Sequence, residues 1–218
     1  MNEACVVWLA GATGLVGGEA LRGLLSDARV QKIVSVTRRP TSVAEARLDE
    51  RVVDFDALEP ALAGTGGDVA VCCLGTTIKQ AGSQAAFRRV DHDYPLAFAR
   101  AARAAGVHHF LVVTALGADS RSRIFYNRVK GELEDALAGL GFPAFTSVRP
   151  SLLIGERSAP RLGERLAAPL SRLLPRSIRG IEARKVGRAL VSLALAPPPP
   201  DGAGRRIVLS GELHALGA

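Results

Sequence analysis

Short apolar runs alternate along the first 150 residues with longer stretches in which apolar residues recur at helical spacing. The runs predict six strands, at residues 6–10, 33–37, 52–53, 69–74, 110–114 and 145–148. The stretches between them predict helices, most clearly at residues 15–25, 84–105 and 124–140. Strands that are apolar throughout and alternate with helices are typical of a parallel sheet covered on both faces.

This alternation predicts an α/β fold with a doubly wound parallel sheet of six or seven strands. After residue 150 the pattern changes to helices at 162–174 and 186–196, a proline-rich connector at 197–200 and a last short strand at 206–209. Because this tail is too short for an independent domain, the sequence predicts one domain over residues 1–218. Residues 155–218 are expected to contribute a small region beside the substrate.

A glycine-rich loop joins the first predicted strand to the first predicted helix, with the spacing G-x-x-G-x-x-G. The amino terminus of a helix offers free N–H groups and partial positive charge, which suit the phosphates of a dinucleotide. An ordinary glycine-rich turn is the alternative, but the position after the first strand favours a dinucleotide site. The residues expected to line it are Gly11, Thr13, Gly14, Leu15, Val16 and Gly17.

The second predicted strand ends with the sequence Ser35-Val36-Thr37-Arg38-Arg39. Enzymes of this architecture that use NAD place a carboxylate there to hold the adenosine ribose, and this strand ends without one. Two guanidinium groups suit the 2′-phosphate of NADP(H). The alternative is that one or both arginines are solvated surface residues.

Asp54 and Phe55 follow the third predicted strand and are expected beside the cofactor. The Asp54 carboxylate is placed to accept a hydrogen bond from the adenine amino group. An ordinary helix cap explains it equally well.

Tyr126 and Lys130 stand four residues apart in a predicted helix, so both lie on one face. A nearby ammonium favours the phenolate form of a tyrosine, which can then exchange a proton with a carbonyl oxygen while a nicotinamide transfers hydride. Thr114, at the end of the fifth strand, is expected to donate a hydrogen bond to the same carbonyl. A chance helix-face pair is the alternative, and the place of the pair in the fold argues against it.

The chain resembles the short-chain dehydrogenases/reductases in its glycine loop, its Y-x-x-x-K pair and the segments after its strands. It is most similar to the Tat-interacting oxidoreductase-like branch of the atypical members. That closer resemblance rests on Cys73-Leu74-Gly75-Thr76-Thr77, Arg89-Val90-Asp91, Gly117-Ala118-Asp119, Val129-Lys130-Gly131-Glu132 and Arg149-Pro150.

The resemblance implies a Rossmann-like fold in which Tyr126 and Lys130 are the catalytic pair and Lys130 also holds the nicotinamide ribose. Thr114 falls where the family usually has serine, and Asp91 where extended members often carry asparagine. The resemblance also implies further residues along the cofactor, namely Leu74, Gly75, Thr76, Pro150 and Leu153.

Composition and charge narrow the classes of partner. The net charge is +7 and the pI about 10, but the arginines are spread along the chain without interleaved aromatic strands, so a nucleic-acid partner is not expected. No run reaches the length of a membrane-spanning helix. The three cysteines lack metal-ligand spacing, so we expect no metal site, although zinc binding by Cys72, Cys73, His108 and His109 is an alternative. A cytoplasmic location is expected.

The sequence therefore favours an NADP(H)-dependent oxidoreductase acting on a small carbonyl compound or alcohol. A regulatory or adaptor protein whose bound dinucleotide controls a protein contact is one alternative, and an epimerase or dehydratase with bound NAD is another. The substrate stays unidentified, and the long helices could pair two subunits into a homodimer.

Overall fold

Seven parallel strands form one sheet in the computed structural model, which describes residues 5–154, 180–197 and 205–218. The strands are β1 (Cys5–Ala10), β2 (Val30–Thr37), β3 (Leu48–Val52), β4 (Val69–Cys72), β5 (His109–Val113), β6 (Ala144–Arg149) and β9 (Arg205–Leu209). Their order across the sheet is β3-β2-β1-β4-β5-β6-β9. Strands β7 (Leu153–Ile154) and β8 (Ile181–Glu182) pair separately. The doubly wound, Rossmann-like fold predicted from the sequence is confirmed.

Helices connect the strands and cover both faces of the sheet. They are α1 (Leu15–Ser26), α2 (Leu58–Ala61), α3 (Ile78–Ala81), α4 (Gln84–Arg88), α5 (Tyr94–Ala104), α6 (Phe125–Ala138), α7 (Ala183–Ala194) and α8 (Ser210–Leu216). A 3₁₀ turn (Phe55–Ala57) precedes α2, and a π-helical turn (Arg89–Asp93) joins α4 to α5. The helix predicted at 84–105 therefore exists, but with a π turn in its middle.

Side chains that alternate along each strand supply two separate halves of the hydrophobic core. On β1, Val7 and Leu9 face α1 and α7, while Trp8 and Ala10 face α5 and α6. The strands are apolar throughout because both faces are covered, which is the pattern read from the sequence. None of the described helices combines the length and the apolar character needed to cross a bilayer.

The tail of the chain contributes to the main sheet and to its helical layer. Helix α7 packs on α1, and β9 pairs with β6 at the edge of the sheet. These residues of the predicted substrate-side region thus extend the central architecture. The helix predicted at 162–174 and most of the connector at 197–200 lie outside the described residues.

The cysteines occupy different surroundings. Cys72 is buried in the half of the core that contains α5 and α6, whereas Cys73 packs against the other half. Burial raises the pKa of the Cys72 thiol to about 12, so the thiol is protonated at neutral pH. Within the described residues, no group of three or more His, Cys, Asp or Glu side chains is arranged to hold a metal ion.

Candidate active site

The candidate site lies at the carboxyl edge of the sheet, where the strand order reverses. The chain passes from β1 to β2 and β3 on one side, then crosses to β4 on the other side of β1. In open α/β sheets such a reversal leaves a crevice outside the strand ends, and ligands bind there. The loops after β1, β2, β4 and β5 all begin at this edge.

The glycine loop after β1 is tightly folded, and its glycines are required by contact. Gly11 has a φ of +87°, and a Cβ there would lie 2.7 Å from the Cys73 carbonyl. A Cβ on Gly17 would lie 2.0 Å from the Gly11 carbonyl oxygen, so α1 can approach β1 only with glycine at this position. The loop is closed by a 2.9 Å hydrogen bond from the Gly14 N–H to the Gly11 oxygen.

The amino terminus of α1 is open to an anion. Gly14 is its N-cap, no side chain caps it, and its first turn carries no acidic residue. Thr13 and Gly14 are exposed at this end, Leu15 is half-buried, and Val16 packs in the core. These residues fit the phosphates of a dinucleotide, which the free N–H groups and the helix dipole would stabilise.

Two exposed arginines follow β2. Thr37 is buried at the end of this strand, and Arg38 and Arg39 come directly after it at the surface. No ion pair or hydrogen bond joins either arginine to another described residue. Their charges are therefore not neutralised by any described carboxylate, which fits an anionic group at this end of the crevice.

Asp54 caps the 3₁₀ turn after β3. Its carboxylate accepts a 3.0 Å hydrogen bond from the Asp56 N–H. The sequence left two roles open for Asp54, and the structure shows it as the cap of this turn. Phe55 is buried with its ring centroid 5.4 Å from that of Tyr94, and both rings line a cavity of about 350 Å³ with Arg89.

Tyr126 and Lys130 lie one turn apart at the start of α6, as predicted. The Tyr126 ring is half-buried against Phe87, with the ring centroids 5.4 Å apart. The side chain of Lys130 is only 3% exposed. Burial by itself lowers the pKa of Lys130, but the Asp91 carboxylate and the Tyr126 phenol outweigh burial, so its pKa lies above the ordinary value. Lys130 is thus a buried ammonium beside a phenol.

Asp91 is the partner of that ammonium. Its Oδ1 lies 2.8 Å from Lys130 Nζ, and its Oδ2 accepts a 2.8 Å hydrogen bond from the Thr76 N–H. Burial raises the pKa of Asp91, and Lys130 and the Thr76 N–H offset part of that rise. A Cβ on Gly75 would lie 3.3 Å from Asp91 Oδ1 and 3.7 Å from Lys130 Nζ, so the glycine passes directly over the pair.

Thr114 does not present its hydroxyl as the sequence led us to expect. The hydroxyl donates a 2.6 Å hydrogen bond to Oε1 of Glu134, a fully buried carboxylate on α6. Arg149 donates to both oxygens of that carboxylate, at 3.0 and 2.6 Å. Thr114 is the one hydroxyl residue among positions 114–118. The structure therefore does not support the predicted hydrogen bond from Thr114 to a substrate carbonyl, because the buried carboxylate of Glu134 binds the Thr114 hydroxyl.

The remaining predicted cofactor residues also lie at the carboxyl edge. Leu74 and Thr76 are half-buried after β4, and Gly75 between them is exposed. Pro150 is buried after β6, where its carbonyl accepts a 2.9 Å hydrogen bond from the Leu116 N–H. Leu153 is half-buried in β7. Their contacts with a cofactor stay predictions.

A family model described as NAD(P)H-binding matches residues 11–170. The chain belongs to this NAD(P)H-binding family, and its sheet, glycine loop and relatives agree with an atypical short-chain dehydrogenase/reductase. Protein HTATIP2 of Rattus norvegicus is 38% identical over 175 residues, which cover 78% of this chain and 72% of that protein. Protein FMP52, mitochondrial, of Eremothecium gossypii is 33% identical over 214 residues, which cover 94% of each.

Solved structures with the same fold include proteins bound to NAD. WbmG of Bordetella bronchiseptica in complex with NAD superposes with a TM-score of 0.71 and 18% identity, over 96% of this chain and 74% of that chain. MoeE5 in complex with UDP-glucuronic acid and NAD gives a TM-score of 0.69 and 17% identity, over 97% and 81%. At this identity the likeness establishes the fold alone.

The cytoplasmic location expected from the sequence is contradicted by the names of several relatives. Relatives from Eremothecium gossypii, Meyerozyma guilliermondii and Emericella nidulans are named as mitochondrial FMP52 proteins, at 33%, 37% and 34% identity. The expectation followed from features such as the lack of a membrane-spanning run, which do not fix a compartment.

Proposed function

We propose that this protein is an NADPH-dependent oxidoreductase that reduces a small carbonyl compound or oxidises the corresponding alcohol. The observation that carries the proposal is the pair formed by Tyr126 and Lys130 at the carboxyl edge of the sheet. The phenol is half-buried, and the ammonium beside it is almost fully buried.

Tyr126 would act as the proton donor in reduction and as the acceptor in oxidation, at the oxygen of the substrate. Lys130 would stabilise the phenolate form of Tyr126 between these steps, because an ammonium nearby in a poorly solvated site favours the charged phenol. NADPH, when bound, supplies the hydride. Phe87 packs against the Tyr126 ring and restricts its orientation.

The preference for NADPH is supported by the end of β2. Arg38 and Arg39 are exposed and hold no described carboxylate, so both can turn toward a 2′-phosphate. The amino terminus of α1 would hold the pyrophosphate next to them. No carboxylate stands there to select the ribose hydroxyls of NAD.

The test of the chemistry is NADPH oxidation against a panel of small aldehydes and ketones, with Tyr126→Phe compared with the unchanged chain. We expect the substitution to lower turnover by roughly 10²–10⁴-fold, the usual contribution of a positioned acid–base group. Tyr94→Phe is the matched control, because Tyr94 and Tyr126 are the two tyrosines of the chain. Tight NADPH binding without reduction of any carbonyl, unchanged by Tyr126→Phe, would refute the proposal.

The test of cofactor choice is the double substitution Arg38→Ala with Arg39→Ala. We expect NADPH binding to weaken by about 1.5–3 kcal/mol for each lost charge-assisted contact, with little change for NADH. Arg100→Ala with Arg103→Ala, at exposed positions of α5, removes the same net charge and should leave both affinities nearly unchanged. Equal, small losses for both cofactors in the first variant would show that the arginines do not hold a 2′-phosphate.

A regulatory dinucleotide-binding protein is the second candidate, and one observation favours it. Thr114 holds its hydroxyl against Glu134, so the loop after β5 supplies no hydroxyl from residues 114–118 to a substrate oxygen. Tyr126 would then lack the help of a second hydroxyl from residues 114–118. Slow turnover with tight NADPH binding is the result that this candidate requires.

A further inference from the structure

Asp91 is a buried carboxylate in an unusual backbone segment. It lies in the π-helical turn Arg89–Asp93, which interrupts the regular helix between α4 and α5, and it is the buried residue of that turn. Turns of this kind are rare and occur frequently at functional sites, because the extra residue changes the direction of nearby side chains. Here the turn carries a carboxylate that is 1% exposed.

The two oxygens of Asp91 hold two different elements of the candidate site. Oδ1 pairs with Lys130 Nζ on α6, and Oδ2 accepts the N–H of Thr76 in the loop after β4, both at 2.8 Å. That loop is expected to line the cofactor, and Lys130 is expected to serve Tyr126. One carboxylate therefore joins the loop after β4 to the lysine, with Gly75 passing over the contact.

We propose that Asp91 is a positioning residue, which fixes Lys130 beneath the loop after β4 and keeps it protonated beside Tyr126. This inference rests on the proposed function, in which Lys130 stabilises the phenolate. A buried ammonium without a counter-charge tends to lose its proton. A neutral lysine would no longer stabilise the phenolate, so the charge on Asp91 controls the acid–base pair through Lys130.

Among the described residues, few groups act on the charge of Lys130. Asp91 approaches from the π turn, Cys72 from β4, and Tyr126 from one turn earlier on α6. Burial raises the pKa of Cys72 to about 12, so its thiol is neutral and contributes little charge at neutral pH. Within the described part of the chain, Asp91 is thus the negative charge that holds Lys130 in its charged form.

Nuclear magnetic resonance of the side-chain Cε groups, on protein with isotope-labelled lysine, tests this without a substrate. The chain has four lysines, so the Lys130 signal can be assigned with Lys130→Arg. Asp91→Asn keeps an oxygen that can accept the Thr76 N–H and removes the charge. We expect the midpoint of the Lys130 titration to move to lower pH in Asp91→Asn, with restoration in Asp91→Glu.

Asp49→Asn is the matched control, because Asp49 pairs at 2.7 Å with Lys32 at the surface. It removes the same charge and should leave the Lys130 midpoint in place. The alkaline limb of the pH profile of turnover should move to lower pH in Asp91→Asn as well. An unchanged Lys130 midpoint in folded Asp91→Asn would overturn the proposal, whatever the turnover, whereas the proposed reaction stands or falls separately on Tyr126→Phe.

The unchanged protein provides a second measurement that does not depend on any variant folding. Protonation of Asp91 in acid must alter the surroundings of Lys130 Nζ, so the Lys130 signal should show an additional acid step. Burial raises the pKa of Asp91, which places that step above the pH at which exposed aspartates titrate. A Lys130 signal without any acid step while the protein remains folded would contradict the contact and overturn the proposal.

Discussion

Glu134 shows what a single buried charge does to its neighbours. The carboxylate is fully buried and accepts hydrogen bonds from Thr114, Arg149 and Arg205, which come from or follow three different strands. An unpaired charge in such a place would cost several kcal/mol, so the surrounding donors turn toward it. The sequence could place Thr114 after β5, but it contained no sign that a glutamate twenty residues later would bind its hydroxyl.

Thr114→Val tests whether that hydroxyl is structural. We expect the free energy of unfolding, measured with urea, to fall by about 1–3 kcal/mol because Glu134 loses a donor. Turnover per folded molecule should change little. Thr114→Ser is the control that keeps the hydroxyl and should keep the stability. A large loss of turnover in Thr114→Val with unchanged stability would instead make the hydroxyl catalytic.

We expect His109 to make the stability of the fold depend on pH. It is buried on β5 with Nε2 3.0 Å from Thr146 Oγ1, and burial lowers its pKa from 6.5 to about 4. Because the pKa of His109 is lower in the folded than in the unfolded chain, its neutral form contributes fully to the stability of the fold above pH 6.5. This contribution falls as the pH drops from 6.5 toward 4 and is lost below about pH 4. From this difference we expect a loss of about 3 kcal/mol.

Chemical denaturation between pH 7 and pH 4 measures this loss. His109→Gln should flatten the dependence on pH, since the folded chain then has no buried imidazole to protonate at this position. His108→Gln alters the exposed neighbouring ring and should keep most of the dependence. An equally steep loss of stability in His109→Gln would assign the effect to other groups.

At the scale of elements, periodicity predicted most of the helices and strands and placed Tyr126 and Lys130 on one helix. Tyr126 and Lys130 share a face because α6 is a regular helix, which their surroundings in the sequence predicted. The predicted strand at 52–53 overlaps β3 only at Val52, because an edge strand with the sequence Leu-Asp-Glu-Arg-Val is half-exposed and lacks an apolar run. The π turn was not predictable, since its residues also suit an α-helix.

Gly17→Ala tests the contact between the glycine loop and α1. The added Cβ would lie 2.0 Å from the Gly11 oxygen, so helix or loop must shift. We expect stability to fall by about 1–3 kcal/mol, as for other overpacked sites, and NADPH affinity to fall with it.

Gly18→Ala is the control for that variant. Its Cβ would lie 3.4 Å from the Ala12 oxygen, an ordinary contact, so stability and affinity should both be preserved. The two variants can be compared by calorimetric titration with NADPH and by thermal unfolding. Equal behaviour of both would show that the close approach at Gly17 does not shape the site.

At the scale of the whole molecule, the order of the strands brings the candidate residues together. The glycine loop, the loop after β4 and the start of α6 are separated by dozens of residues in sequence. Because the strands are parallel, these segments lie at one edge of the sheet, where the reversal between β1 and β4 leaves a crevice. The sequence predicted this assembly because alternating strands and helices leave few topologies. The place of the last strand was not predicted. A segment of five residues does not reveal that β9 pairs with β6 at the edge of the main sheet.

A crystal structure with bound NADP⁺ is the measurement that tests the central claim most directly. We expect the pyrophosphate at the amino terminus of α1, the 2′-phosphate beside Arg38 and Arg39, and the nicotinamide ring facing the Tyr126 hydroxyl. A nicotinamide turned away from Tyr126, or a dinucleotide bound elsewhere than over residues 11–17, would contradict it.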